Sequence, residues 1–86
     1  MAFTAGLVRD VLQGAFGFLP DDPAGELGFT YLIRFAADGH SIEAWAWVPQ
    51  QDDEEMLWDE LVALASHAQI PAATLVTALL QASQGN

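Results

Sequence analysis

Two histidines, His40 and His67, are the side chains of this chain that titrate nearest neutral pH. Acid–base chemistry needs a partner held beside such an imidazole. His40 follows Asp38-Gly39, a turn dipeptide, and reads as a solvated turn residue. His67 falls late on a helical pattern, where its charged form suits the negative dipole end. Its i−4 and i−3 neighbours are Ala63 and Leu64, so no helical pair of metal ligands exists. Carboxylates concentrate in QQDDEEMLWDE, residues 50–60, which holds six of the twelve acids: Asp52, Asp53, Glu54, Glu55, Asp59 and Glu60. Consecutive residues at a helix start point about 100° apart and cannot all converge on one ion. The spaced oxygens and central glycine of an EF-hand loop are missing, as are a phosphate-cradling glycine loop, a nucleophile elbow and any cysteine. The sequence therefore predicts no catalytic residue, no cofactor and no metal site; the expectation is a protein that is not an enzyme.

The elements that must position these residues read as an α+β order. Residues 3–16, FTAGLVRDVLQGAF, place Phe3, Leu7, Val8, Val11, Leu12, Ala15 and Phe16 at helical spacing, with Arg9, Asp10 and Gln13 opposite. Residues 17–28, rich in Pro, Gly and Asp, predict a loop. FTYLIRFAA and SIEAWAWV then flank Asp38-Gly39, a hairpin signal, which gives a hairpin over 29–48 with a two-residue type I′ turn. That register pairs Ala37 with His40, Phe35 with Ile42, Arg34 with Glu43, Leu32 with Trp45 and Thr30 with Trp47. By the period of two, Phe29, Tyr31, Ile33, Phe35, Ile42, Ala44, Ala46 and Val48 make a core face. Thr30, Leu32, Arg34, Glu43, Trp45 and Trp47 make a mixed outer face, with Arg34 and Glu43 as a cross-strand ion pair.

After Pro49, Asp52 and Glu55 stand at capping-box spacing, and carboxylates in a first turn suit the positive dipole end. A helix over 52–69 follows, with Leu57, Leu61, Leu64, Ala65 and Ala68 as its stripe, widened by Trp58 and Val62. Ile70-Pro71 breaks it and starts a last helix over 71–83 that buries Leu75, Val76, Leu79 and Leu80. No internal repeat is visible, and residues 1–86 form one small domain.

A domain of 86 residues buries only about 60% of the surface of its unfolded chain. With no cysteine to staple it and no zinc set, oligomerisation is the remaining device, so a homodimer is expected. Residues 61–86 lack Asp, Glu, Lys and Arg. Pro71 and scattered polar residues spoil a membrane span, so this stretch predicts a helix buried on most sides, as in a dimer core. No signal-like start is present, and a cytoplasmic location is expected. The formal net charge is −10, with Arg9 and Arg34 the firm cations. That balance disfavours nucleic acid as a direct partner, favours a basic protein, and keeps a 52% hydrophobic chain soluble.

From Glu43 to Gln84 a strand is followed by LWDELVALASHAQIPAATLVTALLQA, with Leu57, Leu61, Leu64, Ala65, Ile70, Leu75, Val76, Ala78 and Leu79 at core positions. This half of the chain resembles the ribbon-helix-helix family. The resemblance implies a strand-paired dimer that reads DNA with basic or polar side chains on the strand. Here the equivalent strand, SIEAWAWV, has no Lys or Arg, six acids follow it, and a second strand precedes it. A looser likeness, to the small acidic chaperones of type III secretion, lies in the order of helix 3–16 followed by FTYLIRFAADGHSIEAW.

The predicted function is a non-catalytic acidic interaction module, an inhibitor or adaptor that docks on a basic surface, which can itself be one that binds nucleic acid. In size and charge the chain is similar to small inhibitors carried by mobile elements. Its predicted partner-binding residues are Leu32, Arg34, Glu43, Trp45 and Trp47, with the rim carboxylates Asp52, Asp53, Glu54, Glu55, Asp59 and Glu60. The alternatives are a dimeric ribbon-helix-helix regulator and an acidic chaperone of a secreted protein.

Overall fold

Thr4 sets the entry to the fold: its extended backbone ends a short strand, β1 (Phe3–Thr4), and its hydroxyl accepts a hydrogen bond from the Leu7 N–H, capping helix α1 (Ala5–Gly14). The computed structural model describes residues 2–21 and 28–85. The chain continues through β2 (Leu19–Pro20), β3 (Phe29–Phe35), β4 (Ile42–Pro49), β5 (Glu55–Met56), α2 (Trp58–His67) and α3 (Ala72–Gln84). The fold is α+β with antiparallel sheets. β2, β3 and β4 form one sheet in that order, and β1 pairs with β5. The predicted loop 17–28 carries β2 at its start; residues 22–27 lie outside the described residues.

The hairpin differs from its predicted register. Asp38 would need positive φ for a type I′ turn, yet among its neighbours only Gly39 has it, at 74°. The turn is instead closed by the Gly39 N–H to the Ala36 carbonyl and the Ala36 N–H to the Ser41 carbonyl, leaving residues 37–40 as a longer loop. Ala37 and His40 lie in it and do not pair. Phe35 pairs with Ile42 as expected, but Arg34 then pairs with Ala44, so Glu43 is an extra residue, a β-bulge. Beyond it every pair is displaced: Leu32 meets Ala46, Thr30 meets Val48, Ile33 meets Trp45 and Tyr31 meets Trp47. One inserted residue exchanges the two faces of β3 relative to β4.

The core follows from that exchange. Leu32, Ala44, Ala46 and Val48 join a single buried cluster with Val8, Val11 and Leu12 of α1, Leu61, Leu64 and Ala65 of α2, and Leu75 and Leu79 of α3. Helices α1 and α2 therefore cover one face of the sheet at β4, and α3 packs on both of them. Short alanines on β4 let helices approach closely, and interiors at crystal-like density reward that fit.

The helix starts also differ. Residues 52–55 do not open a helix; α2 begins at Trp58, with Leu57 as its cap. Glu55 and Met56 pair as a strand with Thr4 and Phe3, so the expected helix over 52–69 loses its first turns to sheet. The first helix likewise yields Phe3 to β1 and ends at Gly14. At the other end of α2, Gln69 takes positive φ, 58°, and the Ile70 and Gln69 N–H groups bond the Ala65 and Ser66 carbonyls. This is a Schellman stop, with buried Ile70 as its apolar contact. The last helix runs from Ala72 to Gln84 and buries Leu75 and Leu79, while Ala73, Thr74, Thr77 and Gln81 on its other side are exposed, so it is buried on one face and not on most sides. No single helix among the described residues is long and apolar enough to cross a membrane; α2 and α3 reach that length only as a pair bent by 115°.

Candidate functional site

The acidic stretch at 52–55 caps a helix, but not the one that follows it. The Gly6 N–H donates to the Asp52 carbonyl at 2.9 Å and the Ala5 N–H to the Glu54 carbonyl at 2.7 Å. These donors belong to the first turn of α1, where N–H groups have no partner within the helix. Arg9 of α1 completes the attachment by donating to the Asp52 carboxylate and to the Pro49 carbonyl. Gly6 permits the approach: a Cβ there would lie 3.1 Å from Asp52 Cβ. The segment is thus pinned by its backbone, and the carboxylates of Asp53, Glu54 and Glu55 remain exposed. Asp59 and Glu60 stand exposed in the first turn of α2, at its positive dipole end.

The open face of the three-stranded sheet carries large apolar side chains. Leu19, Ile33 and Trp45 form a row across the three strands, Tyr31 and Trp47 a second row, and Phe35 and Ile42 a third. Ile42 is 56% exposed, Leu19 53% and Trp45 45%. Their rings order one another. Trp45 lies 5.4 Å from Trp47 between ring centres, and Tyr31 meets Trp47 edge-on at 5.8 Å. Such aromatic pairs hold their geometry before any partner arrives.

Trp47 also meets the His67 ring of α2 at 4.6 Å, nearly perpendicular. Below this contact a cleft of about 340 Å³ opens between β4, the 51–56 segment and α2. Phe29, Trp47 and Met56 give it apolar walls, and Glu54, Glu60 and His67 also line it.

Several predicted site residues move. Leu32 is fully buried in the core and cannot touch a partner, because the bulge turns it to the helix side. Arg34 is half-buried: its guanidinium lies over the Phe18 ring at 5.2 Å, donates to the Phe16 carbonyl, and keeps the expected ion pair with Glu43 at 3.4 Å. Trp45 is exposed, Trp47 half-buried, and Glu43 exposed at the bulge. Leu57, Trp58 and Val62, expected in the stripe of the second helix, are exposed instead. The predicted core residues Phe29, Tyr31, Ile33, Phe35 and Ile42 belong to the open face. Their displacement was legible only in the alternation along β4, where Ala44, Ala46 and Val48 alternate with Trp45 and Trp47.

His40 donates its backbone N–H to the Asp38 carboxylate, which also accepts from the Ser41 N–H and hydroxyl. Hydrogen bonding from Ser41, backbone first and hydroxyl next, with the His40 N–H adding to it, lowers the Asp38 pKa from 3.8 to about 2. This is a turn lock rather than a reactive pair. Among the described residues no group of three or more His, Asp or Glu could hold a metal ion. Comparison of the chain with protein-family models, with curated proteins and with solved structures finds no match.

Proposed function

We propose that this chain is a non-catalytic acidic binding module that docks on a basic surface of a partner protein through the open face of its three-stranded sheet. The observation that carries the reading is that face itself: Leu19, Ile42 and Trp45 stand in solvent, and of the helices only α2 reaches its edge, through His67 against Trp47. Contiguous exposed apolar surface on a small protein marks an interaction site. Ordered tryptophans and tyrosine are the residue types that anchor such contacts. The carboxylates of Glu54 and Glu60 line the cleft beside Trp47, and a net charge of −10 steers a basic partner toward it. Both arginines are engaged within the chain, Arg9 by Asp52 and Pro49, Arg34 by Glu43 and Phe16. That leaves no cation to grip a phosphate backbone and favours the docking module over a DNA-reading ribbon-helix-helix regulator. Blocking a basic surface by phosphate mimicry makes it an inhibitor or adaptor.

A second reading uses the same face for a homodimer, and the open apolar sheet favours it too. The two differ in the sign of their salt dependence. Two chains of −10 repel, so self-association tightens as salt screens them, whereas docking on a basic partner weakens.

The test uses wild type and an Ile42→Ser/Trp45→Ala variant as baits in an extract of the cells that make the protein. Trp47 is left in place because it packs on Tyr31 and His67. The variant should keep the wild-type circular dichroism and lose the captured proteins, which should elute from wild type as salt rises. Identical capture by both folded baits would sink the reading. Light scattering at two salt concentrations separates out the homodimer.

A further inference from the structure

We infer that the cleft between β4 and α2 receives an arginine side chain of the partner protein; this rests on the docking reading above and names the chemistry of its anchor. The cleft of about 340 Å³ combines two kinds of wall. Phe29, Trp47 and Met56 are apolar and suit the methylene stem and flat faces of a guanidinium, which is weakly hydrated and stacks on aromatic rings. Glu54 and Glu60 are carboxylates, which accept the guanidinium's donors in charge-assisted hydrogen bonds. His67 adds a ring nitrogen that in the neutral form can accept as well.

Charge complementarity selects the occupant. The chain has no lysine and two arginines, both held elsewhere, so no Lys or Arg side chain within the described residues pairs with Glu54 or Glu60. A neutral apolar side chain would leave two carboxylates partly desolvated without a counter-charge, which is costly. A bare metal ion finds too few ligands, since no group of three His, Asp or Glu comes together among the described residues. What fits is a cation that brings its own apolar stem and its own hydrogen-bond donors. The site is also held in place before binding. The Glu54 backbone is fixed at both its carbonyl, by Ala5, and its N–H, by Gln51, while Glu60 stands on the first turn of α2.

The experiment titrates the isotope-labelled protein with a capped pentapeptide of alanines carrying one central arginine, and with the same peptide carrying norleucine there. The arginine peptide should shift the Trp47 indole N–H and the Met56 methyl, and bind about tenfold more tightly than the norleucine peptide, the scale of one charge-assisted hydrogen bond. A Glu54→Gln/Glu60→Gln variant should lose about tenfold in affinity for the arginine peptide. An Asp53→Asn/Glu55→Gln variant removes the same charge from outside the cleft and should stay within about twofold, since exposed charges are screened. All four positions are exposed, so both variants should fold. Equal binding of the two peptides, or equal loss in the two variants, would overturn the assignment. Neither outcome touches the bait experiment, which substitutes Ile42 and Trp45 and leaves every cleft residue in place, so the two proposals can fail separately.

Discussion

The two faces of the three-stranded sheet spend their residues in opposite ways. The covered face is built from Leu32, Ala44, Ala46 and Val48, small or aliphatic side chains under α1 and α2. The open face holds Tyr31, Ile33, Trp45 and Trp47, with Leu19, Phe35 and Ile42 around them. A tryptophan can bury about 150–250 Å². At 45% exposed, Trp45 leaves about 100 Å² in water, a forgone contribution of roughly 2–3 kcal/mol. A fold selected for stability alone would turn these rings inward. The difference sets a face stabilised by buried packing against one whose aromatics are left in solvent, the surface that the proposed docking would use.

Neighbouring residues on β3 give the largest test of that contrast. Leu32→Ala deletes a fully buried side chain and should cost about 2–5 kcal/mol in urea unfolding. Ile33→Ala, one residue along on the open face, should cost about 1 kcal/mol or less, since it is only partly buried. The unshifted hairpin register makes the reverse demand, with Ile33 in the core and Leu32 outside. Comparable losses at both positions would mean that both faces are covered and the contrast is wrong.

Why that register escaped sequence reasoning is instructive. The middles of the helical stripes, Val8, Val11 and Leu12, then Leu61, Leu64 and Ala65, then Leu75 and Leu79, were legible because amphipathic periodicity extends over several turns, whereas the ends at Phe3 and at Leu57 and Trp58 were not. The hairpin was legible from Asp38-Gly39, and so was the break at Ile70-Pro71. The bulge at Glu43 was not, because no glycine marks it and its effect lies in pairing across strands. The pairing of Phe3–Thr4 with Glu55–Met56 joins segments some fifty residues apart, and two-residue strands carry no period of their own. Asp52 and Glu55 stood at capping-box spacing, yet it is the Asp52 and Glu54 carbonyls that accept from the first turn of a distant helix, α1, while Glu55 pairs in a strand. In the site, Trp45, Trp47 and the rim carboxylates were recognisable by type. Their companions Tyr31, Ile33 and Ile42 were assigned to the core because the face assignment inherits any error in register.

A smaller effect sharpens the contrast at the acidic segment, whose backbone and Asp52 carboxylate bind α1 while the Asp53, Glu54 and Glu55 side chains stay exposed. Gly6→Val places a side chain 3.1 Å from Asp52 Cβ and 3.2 Å from its carbonyl oxygen. The 52–54 segment must retreat from α1, and overpacking of this kind should cost about 1–3 kcal/mol. Asp53→Asn, in the same segment but exposed, should stay within about 0.5 kcal/mol by thermal or urea unfolding. Equal destabilisation would show that the segment is held by its charges and not by its backbone.

The smallest effect lies at the hairpin tip, beyond the bulge, where neither face has a core to lean on. The Asp38 carboxylate accepts from the Ser41 N–H at 2.9 Å, the Ser41 hydroxyl at 2.7 Å and the His40 N–H at 2.8 Å. These bonds favour its ionised form and lower its pKa from 3.8 to about 2. A carboxyl group whose folded pKa lies below its unfolded value stabilises the fold above the unfolded pKa and ceases to do so as pH falls through the folded one. The tip should therefore keep its locked turn above about pH 4 and loosen between about pH 4 and 2, while the covered face responds only to its own packing. The His40 and Ser41 amide resonances should titrate together with a midpoint near 2. Asp38→Asn should abolish that step. A midpoint near 3.8 would show that the carboxylate is free, and that the long loop and its bulge are held by the open face rather than by the turn.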